Sequence, residues 1–169
     1  MKKYELTSET KDFMGRTLHR IRALVSFGDV RAGDLGGWVE GEKNLGQDGN
    51  AWVFGNARVS GDARVSGDAE VDGNARVSGN ARVYGDARVD KTGAIFWIGA
   101  VGSRNDTTTF FKCKDGKIRV SCGCFFGDLK EFSEKVKEAH GENEFGRVYM
   151  LAIEMAKIRI GEDSNENEK

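Results

Sequence analysis

The residues best placed to do chemistry recur every six positions. From Val53 the chain reads VFGNAR, VSGDAR, VSGDAE, VDGNAR, VSGNAR and VYGDAR, then VD at Val89–Asp90. The residue after each Ala is Trp52, Arg58, Arg64, Glu70, Arg76, Arg82 or Arg88. Guanidinium groups at fixed spacing suit carboxylate or phosphate, which they hold by paired hydrogen bonds. If three hexads make one coil, residues eighteen apart share a face. Arg58 then stacks with Arg76, Arg64 with Arg82, and Trp52 with Glu70 and Arg88. Stacked like charges repel without a counter-charge. Asp62, Asp68, Asp72, Asp86 and Asp90 are the expected local ones. Such a surface is either a charge-balanced solvated face or an Arg-lined face for an anionic small molecule or partner.

A second candidate is the polar run from Gly102 to Thr109, GSRNDTTT. Arg104, Asn105, Thr107 and Thr108 offer a cation, an amide and hydroxyls directly after an apolar strand. Loops of this type cradle anions, and they also occur as plain connections closed by hydroxyl turns. Cys113, Cys122, Cys124 and His140 contain the atoms of a Cys3His zinc site. A hairpin drawn outward from Asp115-Gly116 pairs Cys113 with Ile118, Phe111 with Val120 and Thr109 with Cys122. That register puts all three thiols on one core face, where Cys is common. No metal and no cofactor is therefore expected. His19 falls in a candidate strand with no visible partner and is read as structural.

A strict period of six matches neither helix nor simple strand alternation. It fits a short extended run plus a corner, with Val and Ala inward and Gly with Asn or Asp at the corner. The hexads resemble those of the left-handed parallel β-helix in the hexapeptide-repeat superfamily, whose coil is three hexads. Walking the register backward from Ala57 gives Ala51, Leu45 and Val39, and from Val53 it reaches Leu35. Half of the inward pattern thus continues to about residue 35, giving about three coils over 35–94. Trp38, Trp52 and Phe54 at one end, and Ile95, Phe96 and Trp97 at the other, are the expected plugs of an otherwise open core.

The predicted class is mainly β: a short β-helix followed by a small α+β module. Residues 1–34 read as an N-terminal β cap, with strands over Lys3–Thr7 and Thr17–Val25. Residues 95–160 read as a strand, a hairpin and two helices, the second over about Glu144–Ile160 and carrying Val148, Leu151, Ile153, Met155 and Ile158. Asp128 and Glu131 form a capping-box pattern before the first helix. Residues 161–169 read as a disordered acidic tail.

The chain has 169 residues, net charge −1, 23 Gly, no Pro and three Cys. The Gly content belongs to the repeat. Near-neutral charge speaks against a dedicated nucleic-acid binder. No apolar run long enough to span a membrane is present, and the N-terminus lacks an apolar signal region, so a cytoplasmic protein with reduced thiols is expected.

Beyond the repeat, the segments TLHRIRAL, FGDVRAGDLGGWVEGEKNL, VGSRNDTTTFFKCKDGKIRVSCGCFFGDLKEF and KVKEAHG resemble a group of small phage- and prophage-encoded hexapeptide-repeat proteins, often labelled transferases. That resemblance carries no catalytic site. It implies a non-catalytic accessory binder in the host cytoplasm, inhibiting an antiviral defence system through a host protein or a nucleotide. A homo-oligomer, dimer or trimer, is expected from the flat faces of such coils. The superfamily's best-known members are acyltransferases that use a His as general base. No His lies between residues 20 and 139 here. Acyltransferase and virion structural module are the alternatives.

Overall fold

The computed structural model describes residues 1–161 and contains two compact units, Met1–Thr92 and a second beginning at Gly93. The acidic tail read at 161–169 lies, beyond Gly161, outside the described residues. No helix is long and apolar enough to cross a membrane among the described residues.

The first unit is a β-solenoid. Its strands are two residues long: β4 (Trp52–Val53), β5 (Arg58–Val59), β6 (Arg64–Val65), β7 (Glu70–Val71), β8 (Arg76–Val77), β9 (Arg82–Val83) and β10 (Arg88–Val89). They pair in parallel at an interval of eighteen, as in Arg58 with Arg76, Arg64 with Arg82, and Glu70 with both Trp52 and Arg88. Every Val and Ala of the six hexads is at most 1% exposed, so the two inward columns fill the core. Corner glycines 55, 61, 67, 73, 79 and 85 all have positive φ, between 54° and 70°, which explains why no other residue holds that position.

The backward walk fails before Ala51. Val39 pairs with Val59 and Leu45 with Val65, twenty residues apart rather than eighteen. Both therefore stand in the Val column, not the Ala column, and Leu35 is 52% exposed rather than inward. The two additional residues lie between Leu45 and Val53, around Gln47-Asp48-Gly49-Asn50. Side chains hold this irregular stretch. Asn44, fully buried, donates to the carbonyls of Gly61 and Ala63 at 3.0 and 2.9 Å and accepts from the Gly41 amide. Tyr4 donates its hydroxyl to the Leu45 carbonyl, and Lys3 its ammonium to Ala51. Burial pushes the Lys3 ammonium below its usual pKa. Tyr4 and Phe27 both meet Trp52 edge to face, so Trp52 is buried as a plug instead of standing outward.

The N-terminus is one hairpin, β1 (Tyr4–Phe13) and β2 (Arg16–Ala23), with β1 running well past the predicted Lys3–Thr7 and β2 starting and ending earlier than the predicted Thr17–Val25. Met14 and Gly15 both have positive φ, the signature of a primed two-residue turn. Strand β2 runs antiparallel to β3 (Leu35–Val39), which pairs in parallel with β5. The order β1-β2-β3-β5-β8 makes the predicted cap an extension of the face that carries Arg58 and Arg76.

The second unit is an antiparallel meander of β11 (Ile95–Val101), β12 (Asp106–Lys112), β13 (Ile118–Cys122) and β14 (Phe125–Asp128), followed by α1 (Leu129–His140) and α2 (Glu144–Ile160). Strand β14 escaped the sequence reading. Asp128 and Glu131 cap α1 reciprocally at 2.8 and 2.9 Å, as the pattern predicts. The hairpin register is corrected by one residue. Cys113 and Lys117 close a three-residue loop whose last member, Gly116, has φ +81°, so Lys112 pairs with Ile118, Phe110 with Val120 and Thr108 with Cys122. A slip of one exchanges the faces of a strand. Phe110, Ile118 and Val120 form the core with Phe132, Tyr149 and Ile153. Helix α2 turns Ala152, Ile153, Ala156 and Ile160 inward, whereas Val148, Leu151, Met155 and Ile158 are exposed.

A Cβ placed on Gly73 (φ +62°) would collide with the Asp90 carbonyl oxygen of the next coil, while at Gly55 (φ +54°) it would only touch Asp72 Oδ1 at 3.6 Å. Both positions penalise an L side chain by about 1–2 kcal/mol through φ alone. Gly73→Ala is expected to destabilise the solenoid by roughly 3 kcal/mol and Gly55→Ala by about half of that. Urea unfolding of the two variants checks the order.

Candidate functional site

Strand pairing sets Arg58 directly beside Arg76, with their backbones at the spacing of neighbouring strands, about 4.8 Å. The hairpin tip then covers them. Phe13 places its ring 4.4 Å from the Arg58 guanidinium and 4.9 Å from that of Arg76. Cation–π contacts of this kind fix the direction of a guanidinium without neutralising it. Between tip and coil lies a cleft of about 290 Å³, lined by Phe13, Met14, Arg16, Arg58, Arg76 and the Ser60 and Ser78 corners.

Charge is unbalanced here. Among the described residues, neither Arg58 nor Arg76 makes an ion pair. Three of the five Asp residues expected to serve as counter-charges are engaged elsewhere: Asp62 with Lys43 at 2.6 Å, Asp68 with Asn50 at 2.9 Å, and Asp72 with the Gly73 amide. Arg58 Nε is buried without a hydrogen-bond partner. Lys11 adds to the field. Its ammonium lies 4.0 Å over the Trp38 ring, and burial, followed by the charges of Arg58 and Arg20, pushes its pKa down. The face thus carries Lys11, Arg58 and Arg76 interleaved with Trp38 and Phe13.

Glu40 anchors the tip. Its carboxylate accepts from Arg16 Nη1 at 2.9 and 2.8 Å and from the Gly61 amide at 2.6 Å. The Gly61 hydrogen bond, with Arg16 assisting, holds the carboxyl below the usual carboxylate range. It is committed to Arg16 and Gly61, which line the cleft, and makes no ion pair with Arg58 or Arg76.

Of the other predicted site residues, Arg64 and Arg82 stack with each other in a separate two-stranded sheet with exposed side chains, away from the cleft lining. In the Gly102–Thr109 segment, two backbone amides are bonded within the segment itself. Its Asn105 amide donates to the Gly102 carbonyl and its Thr107 amide to Asp106 Oδ1. Arg104 is exposed, but Thr108 is fully buried and donates its hydroxyl to Cys122 Sγ at 3.1 Å, so its side chain cannot meet a partner. The shared thiol face is lost with the corrected register: Cys113 is buried on the sheet face opposite Cys122, and Cys124 is exposed rather than core. No group of His, Cys, Asp and Glu is arranged to hold a metal ion among the described residues. Tyr149, whose hydroxyl accepts from Cys122 at 3.8 Å, is pushed up to about 12 by burial, with the thiol contributing. His140 packs on the Tyr149 and Phe145 rings, and His19 sits mid-strand opposite Thr10 and Val39.

Phe13, Lys11, Ser60 and Ser78 escaped the sequence reading. The serines were legible as a column eighteen apart, whereas nothing local connects the hairpin tip with Arg58.

Comparison with known proteins supports the repeat. A family model described as the YdcK beta solenoid repeat matches residues 51–67, 57–73 and 75–90. The Escherichia coli (strain K12) protein named "Uncharacterized acetyltransferase YdcK" is 37% identical over 62 residues, 32% of this chain and 19% of that protein. The likeness thus spans about a fifth of that relative. The chain is a repeat β-solenoid protein.

Glu40→Gln is expected to destabilise the first unit by about 1 kcal/mol at pH 7 by weakening the bonds to Arg16 and Gly61. Because the folded carboxyl is lowered, its contribution is complete above the unfolded value of 4.5 and is lost as pH falls through the folded value. Denaturation of wild type and variant from pH 7 to pH 3 should therefore show a gap that closes below about pH 4.5.

Proposed function

We propose that this protein is a non-catalytic binding protein, and that its cleft takes the phosphate group of a small anionic ligand. One observation carries the proposal: two neighbouring guanidinium groups, without a carboxylate partner, are held by one aromatic ring at the wall of a cleft. A phosphate dianion relieves their repulsion, and a planar fork suits its oxygens. The Ser60 and Ser78 hydroxyls are of the type that completes such a site. At 290 Å³ the cleft is at the small end of ligand sites, which favours a mononucleotide or a terminal phosphate over a long polymer.

The resemblance of the flanking segments to small phage proteins extends this reading. On that ground the protein is a phage accessory factor with a left-handed coil of about three turns, working as a homo-oligomer in the cytoplasm of an infected bacterium. Its ligand or partner belongs to the host's antiviral defence, a nucleotide signal or the protein that reads it.

The relative's printed name favours a second reading, an acetyltransferase acting on an acetyl-CoA donor. Against it, the cleft lining contains no His, Asp, Glu or Cys to act as general base or nucleophile. Acetyl-CoA also carries phosphates, so binding alone does not separate the readings, whereas release of free CoA thiol does.

Titration calorimetry at low salt with inorganic phosphate, pyrophosphate and nucleoside mono- and diphosphates tests the proposal. At least one phosphate compound should bind, and Arg76→Ala should weaken it about tenfold, the loss of one charge-assisted pair. No binding at millimolar ligand, or wild-type binding in the Arg58→Ala/Arg76→Ala variant with its fold intact, overturns it.

A further inference from the structure

One corner of the solenoid already holds an anion, and the corner stacked on it is open. The run Arg-Val-Ser-Gly stands at 58–61, 64–67 and 76–79. In each copy Arg and Ser flank an inward Val, so both belong to the outward face, and the Gly amide follows directly. The first and third copies pair strand to strand. Their corners fold alike. Gly61 and Gly79 have φ +67° and +63°, and the Ser60 and Ser78 carbonyls accept from Ala63 and Ala81 at 3.4 and 3.3 Å.

At the first of these corners the Gly61 amide donates to the Glu40 carboxylate at 2.6 Å, and Arg16 supplies the balancing charge. Strand β3 delivers Glu40 to that one coil. At the stacked corner, among the described residues, no acceptor meets the Gly79 amide and no hydrogen bond takes the Ser78 hydroxyl. Gly79 is exposed and Ser78 half-buried, whereas Ser60 is buried. Gly79, Ser78 and Arg76 all line the cleft.

We propose that the corner of Ser78 and Gly79 seats the phosphate group in the cleft. One phosphate oxygen accepts from the Gly79 amide, as the Glu40 carboxylate does from Gly61. A second accepts from the Ser78 hydroxyl, and Arg76 supplies the charge that Arg16 supplies to Glu40. The assignment rests on the phosphate reading of the cleft and adds the groups that orient the ligand. Of the two serines lining the cleft, Ser78 is the contact and Ser60 is not. The copy at 64–67 has the same local chemistry outside the cleft lining and is a control within the same chain.

Amide NMR on the full chain tests this, with inorganic phosphate, pyrophosphate, AMP and ADP added to about 20 mM against sodium chloride at equal ionic strength. With at least one of them the Gly79 amide proton should move downfield, by more than about twice the shift at Gly67, as a charge-assisted hydrogen bond forms. Ser78→Ala should weaken that binding about fivefold, and Ser66→Ala should leave it unchanged. If Arg76 responds while Gly79 stays still, if Gly67 moves as far as Gly79, or if Ser78→Ala binds like wild type, the corner assignment is overturned and the cleft reading stands. If no resonance responds beyond the chloride control, both fall together.

Discussion

From Trp52 to Asp72 each hexad of the solenoid hydrogen-bonds to the hexad eighteen residues on, and the regular part of the first unit depends on that interval. It lets two-residue strands, too short to persist alone, be held from both sides. It carries Val and Ala into unbroken inward columns and returns a positive-φ glycine to every corner. The same interval has an unfavourable consequence, because it stacks whatever stands outside. Arg lies on Arg in two of the three columns.

The two Arg columns meet that repulsion in different surroundings. The N-terminal hairpin extends the sheet of Arg58 and Arg76, and its tip reaches past the last paired residues of β2 and β3 to lay Phe13 against both guanidinium groups. Glu40, at the edge of this cleft, is spent on Arg16 and Gly61. What results is a preorganised, electron-poor pocket wall whose own residues leave it uncompensated.

In the second unit the same physics of faces acts on a helix. Two alanines on the inward side of α2 let it approach the meander and α1 closely, so the bulkier aliphatic residues turn outward. Periodicity alone cannot choose between two apolar stripes on one helix. The hairpin register failed for a comparable reason: Asp-Gly signals a turn, but whether the loop holds two or three residues depends on the backbone closure at Cys113 and Lys117.

Sequence by itself determined the solenoid from Ala51 to Val89, the pairs Arg58–Arg76 and Arg64–Arg82, the capping box at Asp128 and the extent of α2. All of these are local or strictly periodic, and their physics is contained in a few neighbouring residues. Tertiary structure decided the rest. It placed the two-residue offset before Val53, buried Asn44 and Lys3, moved Thr108 inward and Cys124 outward, and chose which Arg column would be covered. The Phe13 contact joins residues forty-five and sixty-three positions apart, and no propensity, period or motif encodes a meeting over that distance. It exists because a sheet that starts as a hairpin and continues as a coil must bring the tip of one over the face of the other.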